Sequence, residues 1–519
     1  METLHIEHFQ ARYHLPPSMF DQLDRLDHIL GEMLDGSLAL ALERLGISPR
    51  EEICIRRVHA PVRLRSNSVD SDLITDWSMS LAESFHEVLS QNDPANVIRY
   101  PSRIHGFIDF ADSVARGDFH RAWAWKQLNF SVDPRIDSVS EAAEKLVSSL
   151  VRESQYIIPL LTAMAAAGRL RRLLLLLPPI WWQDLAVAAL MAHGVEVDSS
   201  ITETIGGTPV KAPTAARVVA ERIIRESSLA SVVFQDQTVF LNKAQLLPSW
   251  AKLILLEREP VLFRGGLYEA EVILGAIEEK IHPKTRLSKT VPAEKSAKMK
   301  DYGTRETTST SQEIPNQARS SQKLPHSHGM GASLREDDIP AWEPIQREAF
   351  LRPRSQGCTE FGGLLFLLPL LEHSGIIDEI VVKGMGSRSL GWFLHGLALH
   401  LLPTDTADPA TLAFCGLRPD APLPWENEPG PNEDEKQLLA NWRLKIIKAL
   451  AEHITWQKMK PEQILQKICC RKAAIVADPG WFEVIFSLQD VSTEIRRAGL
   501  DQDPGFIPWL GVIIKFFYE

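Results

Sequence analysis

The stretch AAIVADPGWFEVIFSLQDVSTEIRRAGLDQDPGFIPWLGVIIKFFYE, Ala473–Glu519, decides the fold class. Apolar residues alternate along Ile475–Leu488 and again along Phe506–Phe517. A period of two over six or more positions is the mark of a half-buried strand. Between the runs lies a short turn or helical segment, which Asp490 is placed to cap and which Arg496, Arg497, Gly499, Leu500, Asp501, Asp503 and Pro504 close. Asp-Pro-Gly occurs at Asp478–Gly480 and at Asp503–Gly505, each time where a strand should begin. The pattern describes an antiparallel sheet with an apolar face and carries no catalytic signature.

Upstream, helical stripes are expected over 361–373, 388–402, 408–416, 432–454 and 461–469, which joins them to the sheet in one domain, 341–519. Before that domain the composition changes. Residues 283–334 hold nine Lys or Arg against four Asp or Glu, and only five of fifty-two are Leu, Ile, Val or Phe. Ordering costs ~1–2 kcal/mol per residue, which so little apolar surface cannot offset. A disordered linker is therefore expected over 283–340, joining two separately folded halves.

Residues 97–282 read as a helical domain. Ser138–Glu141 is a capping box with an apolar stripe behind it. Pro178-Pro179 interrupts the apolar run Leu173–Trp182, and further helices are expected over 183–193, 213–226 and 267–280. Residues 1–96 read as strand, helix, strand, helix. In the first strand Leu4 and Ile6, then Phe9, Ala11 and Tyr13, alternate with a slip at Glu7-His8. In the second, Ile53 and Ile55, then Val58, Ala60, Val62 and Leu64, slip at Arg56-Arg57. Matching slips suggest paired strands that bulge together. The fold class is thus α+β and predominantly helical. A small N-terminal strand–helix unit, a helical middle, a linker and a helical C-terminal domain ending in a sheet follow one another, with no internal repeat.

The bulk numbers narrow the function. A net charge of −11 argues against a general nucleic-acid binder, which needs clustered positive charge. Five cysteines without a CxxC pair read as free thiols of a reducing compartment. METLHIEHFQ has neither the basic start nor the apolar core of a signal peptide. The most apolar runs, Leu173–Trp182 and Phe361–Leu371, contain proline and fall short of the ~18 residues needed to span a bilayer. A cytoplasmic protein without a membrane partner is expected.

No GxSxG, Walker A or HExxH motif is present. His395 and His400 stand ~140° apart on a helix, too far round to share a metal, and read as structural. His326 and His328 fall in the linker. Lys383-Gly384-Met385-Gly386 reads as a turn, since no GK[ST] follows. Vicinal Cys469-Cys470 reads as apolar filler at a helix end. Glu494, Asp501 and Asp503 beside Arg496 and Arg497 read as an ion-pair cluster ordering the turn between strands. Arg116, Arg121, Trp123, Trp125 and Lys126 mix cation and aromatic, and are expected to be core tryptophans with cations on the solvent side. No catalytic, cofactor-binding or metal-binding residue is assigned.

Three segments carry a resemblance. LHIEHFQARY with EEICIRRVHAPVRL resembles the paired strands that open tape-measure-type proteins of phage-tail-like extracellular contractile injection systems. RYPSRIHGFIDFADSVARGDFHRAWAWKQLNF (Arg99–Phe130) resembles a helical block in proteins of such gene clusters. FGGLLFLLPLLEHSGI (Phe361–Ile376) and EVIFSL…IRRAGLDQDPGFIPWLGVIIKF resemble their C-terminal domain. The resemblance implies a non-enzymatic structural or assembly component, with inner-tube, baseplate or cap proteins as partners and a place in the assembled particle. An extended ruler is not what the chain looks like. One 519-residue helix would span ~780 Å, and thirty-three prolines and a terminal sheet break it. A cytosolic chaperone or adaptor for assembly or cargo loading, and an enzyme whose site is built from distant residues, are the alternatives.

Overall fold

The computed structural model describes residues 5–44, 48–65, 68–196, 212–235, 240, 244–265, 267–281, 354–383, 388–426, 428–454 and 459–519. The linker expected over 283–340, with His326 and His328, lies outside them, as does the Gly384–Gly386 turn.

The N-terminal helical stripe forms α1 (Leu23–Glu32) and α2 (Leu38–Glu43), joined by one π-helical turn at Met33–Ser37. After β1 (Glu52–Ile55) comes α3 (Asp70–Gln91). Ile29, Met33 and Leu38 pack against Leu73, Trp77 and Leu81 in a small core of their own. The strands differ from expectation. No strand forms among residues 5–16, and β1 pairs instead with β2 (Val97–Tyr100), antiparallel, with Cys54 opposite Ile98. The alternating residues Phe9, Tyr13, Ala60, Val62 and Leu64 are spent packing against the helices, without a ladder. The slip at Arg56-Arg57 marks the end of β1. There the Asn96 side chain accepts from Arg57 N and donates to Arg57 O, both at 2.9 Å.

The helical middle comprises α4 (Arg103–Arg116), α5 (Ala122–Gln127), α6 (Val139–Arg152), α7 (Ile157–Ala166), α8 (Leu170–Leu176), α9 (Pro179–Ala192), α10 (Thr214–Glu226), α11 (Ser228–Gln235), α12 (Leu247–Arg258) and α13 (Leu267–Ile281). Ser138 caps α6 by accepting from Glu141 N. After β3 (Ser355–Thr359) follow α14 (Leu368–His373), α15 (Ile376–Lys383), α16 (Leu390–Leu401), α17 (Pro409–Phe414), α18 (Glu433–His453) and α19 (Pro461–Cys469). The expected helix 361–373 starts as a 3-10 turn, Gly362–Leu367, and the other four expected helices of this part lie within two residues of their expected ends.

The sheet is completed by β4 (Ala473–Asp478), β5 (Trp481–Phe486), α20 (Thr493–Arg497), β6 (Gly505–Ile507) and β7 (Val512–Tyr518), in the order β3-β4-β5-β7-β6. It is mixed, where an antiparallel sheet was expected. β5 and β7 run parallel, Val484 opposite Phe516, because α20 and β6 intervene and bring the chain back in the same direction. Both Asp-Pro-Gly copies precede strands, and Gly480 and Gly505 have φ of 71° and 66°.

One core runs through all of this except the N-terminal satellite. Buried residues from Ile98 to Ile281 and from Leu364 to Phe516 belong to a single cluster, and the described residues of 5–281 and of 354–519 form one compact unit. The expectation of two separately folded halves is corrected accordingly: the apolar faces on either side of the linker cover each other. Trp125, Trp182, Trp250, Trp392, Trp442 and Trp509 are all fully enclosed.

Packing is tight where the 3-10 turn meets α19. A Cβ on Gly363 would lie 2.0 Å from Ile468 O, a backbone atom. Gly363→Ala is expected to destabilise by ~1–3 kcal/mol. Gly391→Ala, where a Cβ meets nothing within 4 Å in helix α16, should be neutral or stabilising. Thermal melts of the two variants check this, and equal melting points would contradict it.

Candidate functional site

Glu483 is the one charged residue of β5, flanked by buried Phe482 and Val484. As an inner strand, β5 has neighbours on both edges and both its faces buried, so Glu483 is enclosed too, at 1% exposure. A lone carboxylate there must be met by donors. Arg354 supplies two, Nη1 to Oε2 at 3.0 Å and Nη2 to Oε1 at 2.8 Å, and Trp481 Nε1 donates to Oε1 at 2.9 Å. Arg354 Nε also donates to Asp478 Oδ2 at 2.8 Å. Arg50 adds its charge 3.8 Å from Glu483 and donates to Glu519 at 2.8 Å. Burial works to lower the Arg354 pKa, but the bonds and charges of Glu483 and Asp478 outweigh it and the net shift is upward.

His105, near the start of α4, places Nε2 3.6 Å from Asp478 Oδ2, and its Nδ1 lies 2.9 Å from Ser102 Oγ. Serine, histidine and aspartate thus meet. A hydrolytic nucleophile must reach a substrate carbonyl, and Ser102 is 2% exposed. Asp478 is also held by Arg354, and 3.6 Å exceeds a hydrogen bond. The arrangement ties α4 to the sheet and lacks the access that acyl transfer requires.

Other buried carboxylates are closed in the same way. Asp109 accepts from Tyr100 Oη at 2.8 Å, Trp125 Nε1 at 3.0 Å and Arg121 Nη1 at 2.9 Å. Glu259 accepts from Arg222 Nη2 and from Leu390 N, both at 3.2 Å, joining α12 to α10 and α16. Burial pushes its pKa up to about 7, with the Arg222 charge resisting.

The residues singled out by sequence fall as follows. His395 is enclosed with Nε2 2.9 Å from Thr406 O, and His400 Nδ1 lies 2.8 Å from Gly396 O, so each serves its own backbone carbonyl. Asp501 accepts from Arg496 and Tyr518, and Asp503 from Phe516 N and Lys515, which orders the turn around α20. Trp125 is core, stacked on Phe110 at 4.8 Å, while Lys126 reaches out to Glu7 at 3.2 Å. Cys469 is buried at the end of α19 and Cys470 exposed. Among the described residues no group of three His, Cys, Asp or Glu is placed to hold a metal. An open surface groove of about 870 Å³ runs past Glu7, Lys126, Asp133, Arg135 and Arg152, with charges of both signs.

Sequence reasoning missed the junction around Glu483. Its members, at 50, 102, 105, 354, 478, 483 and 519, come from five separate stretches of chain. The available signal was the single acid inside WFEVIF. No family model, curated protein or solved structure matches the chain.

The buried histidines give a pH dependence. Burial lowers the pKa of His105 to about 4, the Asp478 charge opposing and the Arg354 charge reinforcing, and burial lowers that of His193 to about 4. On acidification the unfolded chain protonates first, near 6.5, while the folded form stays neutral until about 4. Stability is therefore full above that window and falls within it, by roughly 3 kcal/mol per histidine at the lower end. Glu259 works oppositely, since a raised carboxylate costs stability as pH climbs from its usual range to about 7. Denaturant melts across the window should show a net loss on acidification that His105→Gln reduces. An unchanged slope would contradict the assignment.

Proposed function

We propose that this chain is a non-enzymatic structural or assembly component of a phage-tail-like contractile injection system. It is made in the cytoplasm, takes a place in the assembled particle, and acts through contacts with inner-tube, baseplate or cap proteins. The observation that carries the non-enzymatic part is the use of the buried carboxylates. Those of Asp109, Glu259 and Glu483 are engaged by donors from other elements, and so hold the fold. The contractile-system part rests on the resemblance of the terminal and Arg99–Phe130 segments.

The test is deletion of the gene in the producing organism, followed by electron microscopy of particles. Particles should be missing or malformed. Single Asp, Glu or His substitutions that leave the melting point unchanged should restore them. Normal particles in the deletion strain would overturn the proposal, and so would one such substitution that reproduces the defect in a folded protein. Intact particles that lack only their cargo would select the adaptor reading.

A further inference from the structure

The open groove past Glu7 and Lys126 already holds a carboxylate from a distant part of the chain. Residues 5–16 form neither helix nor strand, and Glu7 on that arm accepts from Lys126 Nζ at 3.2 Å. Both side chains stay open to water, 35% for Glu7 and 46% for Lys126, so the pair is weak and can be exchanged. Most of the remaining lining is the loop 129–135, and that loop is held stiffly. Asn129 and Ser131 take φ of 61° and 56°, a backbone that side chains disfavour. Of the described non-glycine residues only Asn92, at the end of α3, shares it. Between the two, Phe130 is fully buried, stacks on Phe107 at 4.1 Å, and accepts at its carbonyl from Ser149 Oγ at 2.6 Å. Arg152 ties the loop to α6, donating to Ser131 Oγ at 3.0 Å and to Asn129 O. Strained backbone over-determined in this way gathers at ligand clamps. Asp133 spends Oδ1 on the Arg135 N–H at 2.8 Å. The exposed Arg135 guanidinium has no hydrogen bond or ion pair among the described residues.

We infer that this groove docks an acidic peptide segment of a protein partner, and that Glu7 is the chain's own occupant, displaced from Lys126 when the partner binds. One partner carboxylate replaces Glu7 on Lys126, and another meets Arg135. Arg152 stays with the loop it closes and fixes the shape of the wall, which spares the partner the cost of ordering it. The chemistry of the occupant is shown by the one the chain supplies, a carboxylate on an extended arm. The groove's volume of about 870 Å³ suits a short segment of side chains. Its lining carries charges of both signs, so charge pairing and not apolar area selects what enters. A nucleic acid fits less well. Asp133 lies in the lining and Glu153 lies 3.8 Å from Arg152, whereas a phosphate backbone needs an unbroken row of cations. The inference does not depend on membership of a contractile system.

The test is fluorescence anisotropy of the full chain with labelled hexaglutamate, with hexaglutamine and a short oligothymidylate as comparisons. Hexaglutamate should bind at low salt and be released by high salt, and hexaglutamine should not bind. Glu7→Gln should tighten hexaglutamate binding about three- to fivefold, because it frees Lys126 from an exposed ion pair. Lys126→Gln with Arg135→Gln should weaken it about tenfold. These side chains are exposed, so circular dichroism melts should match the unsubstituted protein, and a gain of binding in Glu7→Gln is not something misfolding produces. Binding that Glu7→Gln leaves unchanged or weakens overturns the proposal, as does a folded double variant that binds as tightly as the unsubstituted chain. No binding of hexaglutamate to folded Glu7→Gln at low salt overturns it too. Tighter binding of oligothymidylate than of hexaglutamate would overturn it in favour of a nucleic acid.

Discussion

Glu483→Ala is expected to lower stability by about 3–5 kcal/mol, which is a large part of what a domain has in hand. The substitution does more than delete an acceptor. It leaves Arg354, whose side chain is 16% exposed, with two donors facing the space the carboxylate filled, and it strips the Trp481 indole of its partner. A buried cation without its anion is the costly state, whereas removing both members of a pair costs less. Glu483→Ala with Arg354→Met should therefore lose less than the sum of the two single losses, by about 0.5–3 kcal/mol. Urea melts of the four species close the cycle. Strict additivity would mean that the two side chains do not act together.

Trp509→Ala is expected to cost about 3–5 kcal/mol by opening a cavity. The ring is 1% exposed, in the turn between β6 and β7. That turn lies against the helical middle, since a Cβ on Gly511 would come within 3.3 Å of Pro260 and 3.6 Å of His193 Nε2. The loss should therefore be felt across the whole core. One melting transition should move down as a unit. A melt that splits, with the part before the linker unmoved, would mean that the two stretches unfold separately.

Much of the fold was legible in the sequence, for reasons that particular residues make plain. The C-terminal strands announced themselves because Ala473, Ile475 and Ala477 of β4 alternate with the less buried Ala474, Val476 and Asp478, and Asp-Pro-Gly marks the starts of β5 and β6. The parallel pairing of β5 with β7 was not legible, because local alternation says nothing of which strand lies beside which. Phe9 and Tyr13 alternate as a strand would, yet in the structure they pack on helices, Tyr13 against Trp77 at 6.3 Å. Composition marked 283–340 as a break in the chain, but whether the flanking apolar faces cover each other depends on contacts hundreds of residues apart. The ionic junction was hidden for the same reason. Arg50, His105 and Arg354 look like ordinary surface residues until the sheet places Asp478 and Glu483 among them.

The central claim is that the described residues of 98–281 and of 364–516 share one core, riveted by buried ion pairs. It is tested most directly by cutting the chain between them. A specific protease site placed within 285–352 of the full chain, cleaved after purification, leaves the two parts free to separate. Native mass spectrometry of the cleaved sample should show them together as one complex, melting in a single transition. Two separate, folded fragments under native conditions would contradict the account.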